Sequence, residues 1–224
     1  MATHLDLEEQ EQLDQLKAFW KRYGNLLTWA LIVVLGGFAA WNGWNWWQRD
    51  QAAKSGSMYD QLDKAAQAGD ADQAARVFAD MKERFPRTAF TQQGGLLAAK
   101  VQFDKGQADA AAATLGWVGA NALEDEYKTV AHLRLAGLLL DQKKYDEALK
   151  QLDAATAKEF EALVADRRGD VLLAQGKPED AKAAFTQAWK AMDPKVDYRR
   201  LIDAKLTALG AAPPAEVPKT GVVQ

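Results

Sequence analysis

The sequence has no cysteine and only two histidines in 224 residues. Without thiols there can be no disulfide, no cysteine nucleophile and no thiolate-ligated zinc. His4 and His132 alone cannot build a histidine-rich metal site, and they leave little for histidine acid–base catalysis. An excess of one charge is also missing. The 28 Lys+Arg face 31 Asp+Glu, so the basic surface that nucleic-acid binding needs is not expected. From Met58 onward β-branched runs and Asn-Gly or Asp-Gly hairpins are lacking, which argues against a sheet. With 48% hydrophobic and 26% charged residues, the chain is neither disordered nor wholly membrane-embedded. These absences point away from an enzyme, and no cofactor, catalytic residue or metal site is expected.

One absence is local. Between Arg22 and Arg49 no residue is charged, over the run YGNLLTWALIVVLGGFAAWNGWNWWQ. At about 1.5 Å per helical residue, residues 23–48 can cross a hydrocarbon layer roughly 30 Å thick. Trp41, Trp44, Trp46 and Trp47 crowd one end, where indole rings favour the headgroup layer. A signal peptide is the main rival, but the apolar stretch runs well past Gly37 and Ala39 into the tryptophans. An uncleaved transmembrane helix embedded in the lipid bilayer is therefore expected. Its orientation stays open on charge, because Lys17, Lys21 and Arg22 on one side balance Arg49, Lys54 and Lys64 on the other. Gly36 and Ala40, and Ala39 and Gly43, are small residues four apart, a spacing that lets membrane helices pack closely. Asn42, Asn45 and Gln48 add a polar stripe near the tryptophan end.

The remainder repeats itself. GDADQAARVF from Gly69, GQADAAAATL from Gly106, KKYDEALKQL from Lys143 and GKPEDAKAAF from Gly176 align on a turn followed by a helix start. Their shared alanines are Ala74, Ala111, Ala148 and Ala181, and four residues after each stands Phe78, Leu115, Leu152 or Phe185. Twelve residues before each alanine come Leu62, Ala99, Ala136 and Gly169, of which the last three are small, as two tightly crossed helices require. Intervals of 37, 37 and 33 residues, with this order of small and large positions, are the tetratricopeptide pattern. Pro178 suits the first turn of a helix, and Pro86 falls where one unit ends and the next begins. Residues 196–210, with Leu201, Ile202, Leu206 and Leu209, are expected to form a helix that covers the exposed end of the stack.

The expected architecture is all-α: a single N-terminal transmembrane helix, then a tetratricopeptide-like helical-repeat solenoid with a C-terminal capping helix. Its divisions are a short acidic arm (1–22), the transmembrane helix (23–48), a linker (49–57), the repeat domain (58–210) and a disordered tail (211–224). Such a stack presents a surface built from the first helix of each unit, suited to a peptide or a partner helix. Counting from the small positions places Lys100, Arg134, Arg167 and Asp170 near that surface. Arg134 and Arg167 are 33 residues apart and should stack on successive repeats. They read either as a basic pair for a carboxylate or as ion-pair partners of Asp166 and Asp170. His132 is expected to be a packed or surface residue of its helix rather than a base.

A short acidic arm, a tryptophan-flanked span, and helical repeats containing HLRLAGLLLDQKKYDEALKQLDAA and VADRRGDVLLAQGKPEDAKAAFTQAW together resemble the YfgM family of Gram-negative bacteria. These are ancillary subunits of the SecYEG translocon. The resemblance covers essentially the whole chain and is most specific over residues 131–190. It implies a single-pass protein of the bacterial inner membrane, with its N-terminus in the cytoplasm and its repeat domain in the periplasm. The partners it implies are the SecYEG translocon, the membrane-anchored periplasmic chaperone PpiD and newly exported unfolded proteins. The family carries no catalytic motif to transfer. An architectural anchor for another envelope complex, without client binding, is the alternative expectation.

Overall fold

The computed structural model describes residues 7–212. Within them every regular element is helical: α1 (Leu7–Gln67), α2 (Ala71–Arg84), α3 (Ala89–Asp104), α4 (Ala108–Asn121), α5 (Asp125–Asp141), α6 (Tyr145–Asp153), α7 (Glu161–Ala174), α8 (Pro178–Ala191) and α9 (Arg199–Ala208). The expected tail lies almost wholly outside the described residues, as does His4. The chain forms two compact units, one ending at Gln51 and the other starting at Ala52.

The first unit is the greater part of α1. Leu31, Ile32, Val33, Val34 and Leu35 are consecutive and all exposed, so the helix is apolar around its whole circumference. It is long and apolar enough to cross a membrane, and within the chain it has almost no covering. It has the length and composition of a transmembrane helix. Two of its polar side chains turn back onto their own backbone. The Thr28 hydroxyl donates to the Gly24 carbonyl at 2.8 Å, and the Asn42 amide donates to that of Phe38 at 2.9 Å. In hydrocarbon a polar group without a partner is costly, and these two bring their own.

Residues 49–57, expected as a linker, are helical throughout and continue α1 without a break. They contain no proline, and Gln, Arg, Ala and Lys dominate among them. Ser55 is buried, and the single glycine, Gly56, lies against the Phe90 ring, where a Cβ would stand 3.2 Å away. The last residues of α1 therefore serve as the first repeat helix.

In the second unit the repeat register holds. Ala74, Ala111, Ala148 and Ala181 are all fully buried, and so are or nearly are Phe78, Leu115, Leu152 and Phe185. A Cβ on Gly169 would collide with the Phe185 ring, which explains why the small position of the fourth unit is glycine. The first unit solves the same problem differently. Leu62 fills its small position and is completely buried, and the space comes from α3. There Gly94 faces Met81 and Leu62, and Gly95 faces Val118 and Phe78 so closely that any Cβ would collide.

The turns repeat as faithfully as the crossings. Gly69, Gly106, Lys143 and Gly176 all have left-handed backbone, at φ 66°, 77°, 60° and 79°. Each is followed by an amide that reaches back five residues: Asp70 to Ala65, Gln107 to Gln102, Lys144 to Leu139 and Lys177 to Leu172. This closure satisfies the last carbonyls of the preceding helix. Pro178 occupies the first turn of α8, where it lacks no needed donor.

The third unit departs from the pattern. Its second helix, α6, has 9 residues where the second helices of the other units have 14. The chain then runs through buried Ala155 and Ala157, whose amide donates to the Thr129 hydroxyl at 3.0 Å. The longer connection after α6 offsets most of its shortening, and the 33-residue interval between Ala148 and Ala181 also reflects α7, with 14 residues where α5 has 17. At the end of the stack α9 buries Ile202 and Leu206 against Phe185 and Ala181. Leu201 of the same helix is exposed.

A groove across the first helices of three repeats

The first helices of successive units, α3, α5 and α7, line a depression of about 510 Å³. Its apolar wall includes Phe103, Leu133, Leu138 and Leu163. Tyr198, just ahead of α9, closes one end. A second depression of about 620 Å³, between the start of α7 and the loop after α8, shares Leu163 and Tyr198 with the first. The two are thus neighbours across a ridge made by those side chains.

Three of the four residues singled out in the sequence line the groove: Lys100, Arg134 and Arg167. They are not equivalent. The Lys100 ammonium is already matched by Asp104 on its own helix. Arg134 reaches back one repeat and donates from Nη1 to the Leu96 carbonyl at 3.0 Å. No carboxylate among the described residues meets it, and burial pulls its pKa below the ordinary value although the side chain still touches solvent. Arg167 also leans one repeat back. Its guanidinium would be 3.8 Å from a Cβ on Gly137, one turn from Arg134 on α5. Its nearest carboxylate oxygen, on Asp170, is 3.9 Å away, too far for a hydrogen bond.

Asp170 is drawn to the cap instead. Lys205 of α9 bridges it at 2.8 Å and meets both oxygens of Asp166, at 2.8 and 2.9 Å. Asp166 is almost fully buried and accepts a third bond, 2.7 Å long, from the Tyr198 hydroxyl. Burial first, and then this bond to a carboxylate, push the Tyr198 pKa upward, so the hydroxyl keeps its proton. Of the pairings open in the sequence, Arg167 keeps a loose ion pair with Asp170, whereas Arg134 meets neither acid. The two acids hold the cap, and the arginines face the groove. Tyr198 and Lys205 were not singled out in the sequence. The apolar spacing located the cap helix, but no pattern showed which of its polar residues turn toward α7.

His132 is packed. Its Nδ1 is 2.8 Å from the Gln151 side-chain oxygen, and its ring covers Gly119. No group of three or more His, Asp or Glu side chains among the described residues is placed to hold a metal ion. In the first unit, a Cβ built on Gly36 or Gly43 would meet nothing within 4 Å, so this face has no cover from the chain itself.

A membrane-spanning helix joined to stacked helix pairs with a groove on their first helices defines a membrane-anchored tetratricopeptide-type protein. The sequence pattern of the tetratricopeptide repeat-like domain family matches residues 17–211. Over 93% of its length and 100% of the relative's, the chain is 31% identical to the ancillary SecYEG translocon subunit of Neisseria gonorrhoeae. It is 30% identical to the protein of the same name in Escherichia coli, over 82% and 88% of the two chains. For the Haemophilus influenzae counterpart the identity is 28%, over 81% and 89%. The chain belongs to this family of tetratricopeptide-like ancillary translocon subunits.

Proposed function

We propose that the protein is a non-enzymatic accessory of the Sec translocon, anchored in the inner membrane by residues 23–48. Its N-terminus is cytoplasmic and its repeat unit periplasmic, where it works with a membrane-anchored isomerase-type chaperone on newly exported proteins. The observation that carries this reading is similarity, over 93% and 82% of the chain, to relatives named ancillary SecYEG translocon subunit, with the family pattern matching residues 17–211. The groove supports the non-covalent part. It offers apolar surface and two arginines to a non-covalent partner.

The test is affinity purification of the full chain from native membranes. The translocon and the chaperone should both be recovered, and a periplasm-active reporter fused after residue 210 should be active. Recovery of neither partner, or activity only from a cytoplasmic reporter, would overturn the reading.

A further inference from the structure

We infer that the groove on α3, α5 and α7 docks a short apolar segment of a partner polypeptide that bears an acidic side chain, received by Arg134 and Arg167. This deepens the reading above and rests on it.

The argument begins with charge. Of the charged side chains along the first depression, Lys100 is matched by Asp104, and Asp166 is matched by Lys205 and Tyr198. Arg134 has no ion-pair partner among the described residues, and Arg167 has only Asp170, 3.9 Å away and itself bridged by Lys205. Arg134 is exposed and has one carbonyl as its acceptor. A guanidinium offers five donors in a planar fork that matches a carboxylate. Most of that capacity is unused at both positions.

Position supports the same conclusion. Each arginine leans toward the preceding first helix, Arg134 to Leu96 on α3 and Arg167 over Gly137 on α5. At Gly137 the Arg167 guanidinium lies over the helix at ordinary van der Waals distance from where a Cβ would stand. Around them Phe103, Leu133 and Leu163 supply an apolar wall that solvent alone does not explain. An apolar segment would cover that wall, and its carboxylate would meet the arginines in surroundings poorer in water, where such pairs gain strength. Asp141, also on the lining, makes a second acid on the segment unfavourable. Helices packed about 8–10 Å apart put roughly 20 Å between α3 and α7, which some six extended residues can span.

The probe is a blocked peptide of about ten residues, of leucine, alanine and serine, with one central glutamate beside a photo-reactive benzophenone. It is offered to the full chain in detergent micelles, and adducts are located by mass spectrometry. Adducts should fall on groove residues of α5 and α7. They should drop about ten-fold or more in Arg134→Gln/Arg167→Gln, and equally when the peptide's glutamate becomes glutamine. Adducts that are unchanged by both replacements, or that lie outside the groove, would overturn the inference. Because the peptide replacement leaves the protein untouched, misfolding of the arginine variant cannot mimic success. Translocon recovery with the same variant separates the two claims: intact recovery without peptide adducts sinks the groove inference alone.

Discussion

From Leu26 to Trp47 the large apolar side chains are exposed on every side of α1, whereas in the repeat unit Leu62, Met81, Leu152 and Phe185 are sealed from solvent. Polar groups differ in the same way. In the span, Thr28 and Asn42 bond their own helix one turn back. In the repeats, Thr129, Asp166 and Tyr198 bond across helices and fix one element to another. Glycine shows the contrast most sharply: a Cβ on Gly36 meets nothing, and one on Gly169 collides with Phe185. The first region uses lipid as its solvent and needs no intrachain complement. The second depends on detailed fit between its own helices.

Gly169→Leu should have the largest effect. The side chain has no room beside Phe185, and a loss of about 3 kcal/mol is expected in urea unfolding of the full chain. A loss below about 0.5 kcal/mol would mean that the crossing is loose.

Tyr198→Phe removes the bond to buried Asp166 and should cost about 1–2 kcal/mol at neutral pH. The pH dependence has a definite sign. The tyrosine pKa is raised in the folded state, so its contribution is whole below the ordinary value of about 10 and fades as pH climbs above it. The native chain should lose stability above that pH, and the Tyr198→Phe variant should lose less. Equal alkaline losses would contradict the cap network.

Lys143→Gly should stabilise the chain by about 1 kcal/mol, since lysine holds a left-handed turn that glycine fills at its three equivalents. Thermal unfolding of the two proteins checks this. Gly36→Leu should do least, leaving unfolding of the repeat unit within about 0.5 kcal/mol of the native chain. A larger shift would show that this face has an intrachain partner.

The contrast also explains what could be read in advance. An uncharged run and a repeating small–large pattern are local signals, and they led directly to the span, the four helix crossings and the turn at Lys143. Gly94 and Gly95 could not be foreseen as the space for Leu62 and Phe78, because that compensation lies on a different helix. The same holds for the groove. Sequence spacing put Lys100, Arg134 and Arg167 on one face, but it could not tell that Asp104 occupies the lysine or that Lys205 takes Asp170. Partner choice among charged side chains is set by tertiary distance, and periodicity carries no information about it.

The central claim is that the span anchors while the groove makes the partner contacts. Photo-crosslinking in native membranes tests it most directly, with the reactive residue placed at Leu163 in the groove or at exposed Lys190 on α8. Adducts with other polypeptides from position 163, few from position 190, and loss of the former in Arg134→Gln/Arg167→Gln are the predicted result. Equal adducts from both positions, or none from the groove while the chain still recovers its partners, would contradict it.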